Sequence, residues 1–154
     1  MRFVILSVLS LACYPALAEE PAGFRVETHL MGKAVGFDGQ GRCSVTRGRA
    51  YKSWKVPGFP AKVPHFESCT TIRSSLSDDE VDFSLAIVSP KGEQLRAVDG
   101  VLALGSAGQA SQAIDWDDLE IPAAGTYRMV LKVDGKVIAR FPMQFSAKQK
   151  TPKK

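Results

Sequence analysis

The sequence contains few of the residues that carry enzyme chemistry. Among its 154 residues are two histidines and three cysteines, and no phosphate-binding loop, dinucleotide fingerprint or nucleophile elbow occurs. His29 and His65 leave a Ser/His/Asp triad open, although no serine motif points to one. We therefore predict a protein that is not an enzyme and needs no cofactor.

Long apolar runs are missing after residue 18, which argues against a membrane-spanning helix, since such a helix needs about 20 apolar residues. Residues 1–18 carry a single charge, Arg2, followed by an apolar stretch and a small residue, Ala18. This pattern is typical of a secretory signal peptide that is removed after Ala18. It predicts an exported protein, periplasmic or secreted. An alternative is lipidation at Cys13, because the residues before it resemble a lipoprotein cleavage site.

Removal of the signal peptide leaves two cysteines, Cys43 and Cys69. In an oxidising compartment, an even pair predicts one intramolecular disulfide. Closing a loop of this length stabilises the folded state by roughly 3 to 4 kcal/mol in the chain-entropy model.

Positive and negative charges are unevenly distributed along the chain, which has a formal net charge of +4. Residues 25–73 include nine basic and three acidic side chains, whereas residues 74–147 include six basic and eleven acidic ones. For an exported protein, the anions that a basic surface meets are glycans, lipid headgroups or acidic proteins rather than nucleic acid. We expect an envelope protein or an anionic glycan or lipid surface as partner.

The oligomeric state stays open. Residues 146–154 are predicted to be a disordered basic tail.

Alternating apolar and polar residues predict β-strands over most of residues 19–145. The clearest strands are 81–88, 126–133 and 136–145, and the last two flank Asp134-Gly135, a dipeptide preferred in tight hairpin turns. Weaker strands are predicted at 24–31, 33–37, 43–46, 49–56, 66–73, 94–98 and 101–104. Together these short strands predict one antiparallel β-sandwich domain.

Three details of this strand pattern are less regular. Asp99-Gly100 predicts a second hairpin turn. Residues 105–119 fit either a strand or a short helix, because two glycines weaken the helical pattern. Pro142 has no amide proton to donate, so its strand is predicted to lie at a sheet edge or to carry a bulge there.

Residues 121–145 begin Ile-Pro-Ala-Ala-Gly-Thr-Tyr and continue through Val133-Asp134-Gly135 to a closing strand. They resemble the last two strands of immunoglobulin-like or fibronectin-type β-sandwiches in secreted bacterial proteins. The resemblance implies an all-β, antiparallel immunoglobulin-like β-sandwich and says little about function.

Basic and aromatic residues are interleaved between residues 42 and 62, where no acidic residue occurs. Cations capture an anionic polymer and rings stack on it, so this pattern is typical of a binding face. The candidate binding residues, including one histidine from the adjoining proline-rich stretch, are Arg47, Arg49, Lys52, Trp54, Lys55, Phe59 and His65. In the alternative interpretation, Trp54 enters the core and the cations form a solvated face.

The proline-rich stretch 56–65 lies between the two cysteines and is predicted to protrude, with Phe59 and His65 at its tip. His65 and the cysteines are residue types found in zinc sites, but oxidation of both thiols argues against this, and no metal ligand is predicted. The acidic stretch 115–120 lacks the spacing of a calcium-binding loop and is interpreted as a solvated turn or a patch for a basic partner.

From these features we expect a non-catalytic, exported binding or accessory module of the bacterial cell envelope that recognises an anionic surface or a protein partner. Two alternatives stay open. One is a small periplasmic enzyme-inhibitor or immunity-type protein whose proline-rich loop blocks its target, and the other is a metal carrier.

Overall fold

The computed structural model describes residues 23–149, which form an all-β fold with no helix. The strands are β1 (Phe24–Phe37), β2 (Cys43–Ala50), β3 (Ser53–Val56), β4 (Ala61–Val63), β5 (Phe66–Ser74), β6 (Glu80–Val88), β7 (Gln94–Ala103), β8 (Gln109–Trp116), β9 (Leu119–Ile121), β10 (Gly125–Val133) and β11 (Lys136–Ala147). Within this part of the chain, no helix is long and apolar enough to cross a membrane. The predicted signal peptide, Cys13 and residues 150–154 lie outside the described residues.

Two large sheets share one apolar core. The first has the strand order β2-β1-β5-β8 and the second β3-β11-β10-β6-β7, while β4 and β9 pair with each other. The paired strands are antiparallel except β3 and β11, which are parallel. Both sheets supply fully buried side chains to the core, among them Phe66, Ile72, Trp116, Tyr127, Met129 and Phe145.

The structure confirms the strands with the clearest alternation, now β6, β10 and β11. Asp134 and Gly135 both have positive φ, 48° and 76°, as a tight hairpin turn between β10 and β11 requires. The last strand continues two residues beyond the predicted boundary at residue 145. Ser146 and Ala147 belong to it because they pair with Lys55 and Val56 of β3.

The predicted hairpin at Asp99-Gly100 is wrong, because both residues lie inside β7, which pairs continuously with β6 there. Gly100 lies opposite Phe83, and a Cβ atom at residue 100 would be 2.6 Å from the Phe83 ring. The glycine therefore makes room for an aromatic ring instead of forming a turn. Residues 105–119, which the sequence left open, contain β8 and the start of β9 and no helix.

The predicted disulfide between Cys43 and Cys69 is present and fastens the β1–β2 hairpin onto β5. Cys69 lies opposite Leu30 of β1, whereas Cys43 lies opposite Phe37, further along the same strand. Because the disulfide brings Cys43 and Cys69 together, the hairpin folds over the face of the first sheet that lies opposite the main core. Beneath the hairpin, Val35 and the two cysteines form a small separate apolar cluster. The Cys43 amide also donates to Thr71 Oγ1 at 3.1 Å.

Candidate functional site

Four exposed cations lie on two edge strands and on the segment that connects them. Strand β2 is an edge of the first sheet and β3 is an edge of the second, so the chain crosses from sheet to sheet between them. We call this surface the basic edge, and its residues are Arg47, Arg49, Lys52 and Lys55, all exposed. Among residues 23–149, none of the four forms an ion pair with a carboxylate. The basic edge therefore carries positive charge that no described acidic side chain compensates.

The aromatic members of the predicted binding face are in the core. Trp54 is 8% exposed and stacks on Phe145, with ring centroids 5.1 Å apart, and it meets Phe66 edge-on at 5.4 Å. Phe59 is half-buried and packs against the same core. The Trp54 ring is therefore not accessible for stacking on a ligand. Trp54 takes the position given by the alternative interpretation of the sequence, whereas exposed cations are expected under both interpretations.

The proline-rich stretch does not protrude as predicted. Its centre forms β4, which pairs with β9, and Ala61 and Val63 are 6% and 4% exposed. Ala61 and Val63, between Pro60 and Pro64, are buried, so this part of the stretch packs as a strand rather than forming a projecting loop. The inhibitor alternative loses the projecting loop on which it was based.

A cleft of about 460 Å³ lies beside the basic edge and is lined by His29, Leu30, Met31, Ala50, Tyr51, Lys52, Thr126, Phe141, Pro142 and Gln144. The His29 ring stacks on Phe141 with centroids 3.6 Å apart, and its Nδ1 forms a hydrogen bond with Thr70 Oγ1 at 2.8 Å. Burial lowers the pKa of His29 to about 4, so the ring is neutral at neutral pH. Its Nε2 is buried and has no hydrogen-bond partner among the described residues.

His65 lies with carboxylates rather than with the basic residues. Phe66 of β5 pairs with Trp116 of β8, and both of these rings face the core. Because side chains alternate along strands, the residues on either side of the two rings share the opposite face. These residues, which we call the β5–β8 cluster, are His65, Glu67, Asp115 and Asp117.

Within the β5–β8 cluster, both nitrogens of His65 have acidic partners. Nδ1 is 2.8 Å from Asp117 Oδ1, and Nε2 is 3.4 Å from Glu67 Oε1. The hydrogen bond with Asp117, followed by that with Glu67, raises the pKa of His65. One side-chain donor atom from each of His65, Glu67 and Asp115 lies within 4.8 Å of the others. These three could hold a metal ion, whereas Cys43 and Cys69 are not free to act as ligands because they are bonded to each other.

Glu67, Asp115 and Asp117 are not among the candidate binding residues predicted from the sequence. Asp115 and Asp117 are interpreted from the sequence only as part of an acidic turn or patch at 115–120. A signal is present in His65-Phe-Glu67 and Asp115-Trp-Asp117, in which a polar residue lies on either side of a buried ring. The two segments meet only through the pairing of β5 with β8, which joins residues 52 positions apart at His65 and Asp117. Sequence spacing alone does not reveal that pairing.

The fold and these surfaces define a disulfide-bonded all-β domain with a basic edge and a separate histidine–carboxylate cluster. The chain belongs to a protein family of unknown function, DUF6941, whose family model matches residues 34–146. No curated protein matches this sequence.

Two larger solved proteins show weak structural similarity to this chain. One is Pseudomonas fluorescens alkylpurine DNA glycosylase AlkC bound to DNA containing an abasic site analog, with 13% identity and a TM-score of 0.46 over 80% of this chain and 31% of that one. The other is Bifidobacterium dentium beta-glucuronidase complexed with coumarin-3-O-glucuronide, with 12% identity and a TM-score of 0.41 over 82% of this chain and 18% of that one. The chain spans less than a third of either protein, and neither similarity bears on its function.

Proposed function

We propose that the protein is a non-catalytic, exported binding module of the bacterial cell envelope whose basic edge binds an anionic glycan or lipid surface. The observation that carries this proposal concerns Arg47, Arg49, Lys52 and Lys55, which are exposed and unpaired with any acidic group of residues 23–149. A disulfide between Cys43 and Cys69 is consistent with export to an oxidising compartment.

We further propose that the fold is an immunoglobulin-like sandwich. The order β11-β10-β6-β7 corresponds to the G-F-C-C′ order of a variable-type immunoglobulin sheet. Near the start of β10, the strand in the F position, the Tyr127 hydroxyl donates to the Ala123 carbonyl at 2.9 Å. A tyrosine bonded in this way to backbone a few residues upstream is a mark of such sandwiches. Both observations support the resemblance noted in residues 121–145.

The binding expected of this edge is electrostatic. A lysine or arginine near an anionic membrane contributes about 1 kcal/mol, so four cations acting together supply on the order of 4 kcal/mol. Because Trp54 is buried, ring stacking does not add to this attraction. Exposed charges are screened by salt over about 10 Å at 0.1 M ionic strength, so binding is expected to weaken steeply as salt is added.

The test uses vesicles of phosphatidylglycerol, with vesicles of phosphatidylcholine as the neutral reference, in a co-sedimentation assay. Arg49→Glu and Lys52→Glu each reverse one charge of the basic edge and should weaken binding by about tenfold or more. Lys136→Glu reverses an exposed charge at the first residue of β11 and serves as the matched control. An anionic glycan immobilised on beads, assayed with the same variants, distinguishes a glycan from a lipid.

Binding that is independent of salt would contradict the proposal, and so would equal losses in Lys136→Glu and Arg49→Glu. Failure to bind both the vesicles and the glycan would leave the cations as a solvated face.

A further inference from the structure

We propose that the β5–β8 cluster is a binding site for a divalent transition-metal ion of the Zn²⁺ type, with His65 Nε2, Glu67 Oε1 and an Asp115 carboxylate oxygen as ligands. The cluster shares no residue with the basic edge. The metal site and the proposed binding of anions can therefore be tested by separate substitutions.

The spacing of the donor atoms fits a small ion. Zinc is held at about 2.0 to 2.2 Å by nitrogen and oxygen, which puts two ligands of a tetrahedral site about 3.4 Å apart. His65 Nε2 and Glu67 Oε1 are 3.4 Å apart. One ligand atom from each of His65, Glu67 and Asp115 lies within 4.8 Å of the other two. A small rotation of the Asp115 side chain, which is exposed, closes the remaining distance.

Two of the three ligands are already oriented by other groups. Asp117 Oδ1 lies 2.8 Å from His65 Nδ1, so Nδ1–H donates to this carboxylate. A metal ion takes the place of the proton on Nε2, whose lone pair then binds the ion beside Glu67 Oε1. The Val35 amide donates to Glu67 Oε2 at 2.7 Å, which leaves Oε1 free to bind. A metal-bound histidine held by a second carboxylate is a recurring arrangement in metalloproteins.

The chemistry of the ligands selects the class of ion. Imidazole suits zinc and neighbouring transition metals, whereas calcium and magnesium prefer sites made of oxygen alone. Two carboxylates balance the double charge of the ion, and three protein ligands leave a fourth position for water or for a group of a partner. The His65 and Glu67 side chains are 45% and 23% exposed, so an ion can enter from solvent.

The experiment measures Zn²⁺ binding to the chelator-treated protein by isothermal titration calorimetry, with the disulfide kept intact so that no thiol competes. We expect one site. Glu67→Gln and Asp115→Asn should each weaken binding by about tenfold or more, and Asp117→Asn, which removes a positioning residue, by about 10- to 100-fold. Asp99→Asn removes an exposed carboxylate of β7 and should bind as the wild type does. Ca²⁺ should give no comparable signal.

Absorption of the Co²⁺-loaded protein provides a second readout, since four-coordinate cobalt absorbs visible light more strongly than six-coordinate cobalt. The proposal is overturned if Zn²⁺ does not bind, or if the Glu67→Gln and Asp115→Asn variants bind it as tightly as the wild type. Glu67→Gln should still bind anionic vesicles, so failure of the metal site and failure of the basic edge are distinguishable.

Discussion

The two histidines differ in pKa because their surroundings in the fold differ. His29 lies between Phe141 and Thr70, and burial lowers its pKa to about 4. His65 is exposed beside Asp117 and Glu67, and hydrogen bonds to these carboxylates raise its pKa. At a given pH near neutrality, His29 is uncharged, whereas His65 holds a proton more readily than a free histidine does.

Burial of His29 predicts a loss of stability in acid. The unfolded chain binds a proton at this residue with a pKa near 6.5, whereas the folded protein does so only near pH 4. Protonation of His29 should therefore lower the free energy of unfolding by up to roughly 3 kcal/mol as the pH falls from about 6.5 to about 4. Below that range, this residue should cause no further loss.

Urea denaturation of the wild type and of His29→Gln across this pH range measures the contribution. Other acid-sensitive groups, such as Glu27 and Asp38 with their lowered pKa values, are unchanged in the variant. The difference between the two proteins should shrink as the pH falls. An equal loss of stability in both would contradict the assigned protonation of His29.

At the scale of elements, the β1–β2 hairpin packs on a small apolar cluster that is separate from the main core. It covers one face of the first sheet, where Val35 and the disulfide form their own small cluster. Polar bonds at its tip add to this, including Ser111 Oγ to the Gly41 carbonyl at 2.7 Å. The disulfide joins residues separated by 26 positions and ties the hairpin to β5.

Loss of the disulfide should therefore loosen this hairpin first. In the double variant Cys43→Ser, Cys69→Ser, we expect the free energy of unfolding to fall by roughly 3 to 4 kcal/mol, because the unfolded chain regains the freedom of the closed loop. Hydrogen exchange should quicken most in β2, while β10 at the centre of the second sheet stays the more protected strand. Uniform acceleration across all strands would show that the hairpin does not open separately.

For the whole molecule, the decisive feature is a row of aromatic rings that crosses from one sheet to the other. Tyr127 meets Phe145, which stacks on Trp54, and Trp54 of the second sheet contacts Phe66 of the first. Phe66 in turn stacks on Trp116. The two sheets bury these rings jointly, so neither sheet keeps its core when the other unfolds.

This shared core predicts a single cooperative unfolding transition. Trp54→Phe leaves Trp116 as a fluorescence probe of the first sheet, and Trp116→Phe leaves Trp54 as a probe of the second. In each variant, the fluorescence midpoint in urea should coincide with the midpoint from far-UV circular dichroism. Separated midpoints would mean that the sheets unfold independently.

Local pattern predicted much of the fold. Alternation of neighbouring residues marks β6, β10 and β11, and Asp134-Gly135 marks the turn between the last two, because these features depend on residues adjacent in sequence. The same local rule failed at Asp99-Gly100, where Gly100 is needed for packing against Phe83 and not for a turn. Pro142 lies in β11, and the pairing of β11 with β3 begins two residues later, at Gln144. At Pro142, β11 therefore pairs with β10 alone.

The sequence by itself determined that the chain is rich in β-strand, that Cys43 and Cys69 form a pair, and that cations are concentrated in residues 25–73. Only the tertiary structure decided that Trp54 is buried and that His65 meets Asp117. The reason is physical. Strand periodicity depends on residues one and two positions apart, whereas the environment of a side chain depends on which distant strands pair beside it.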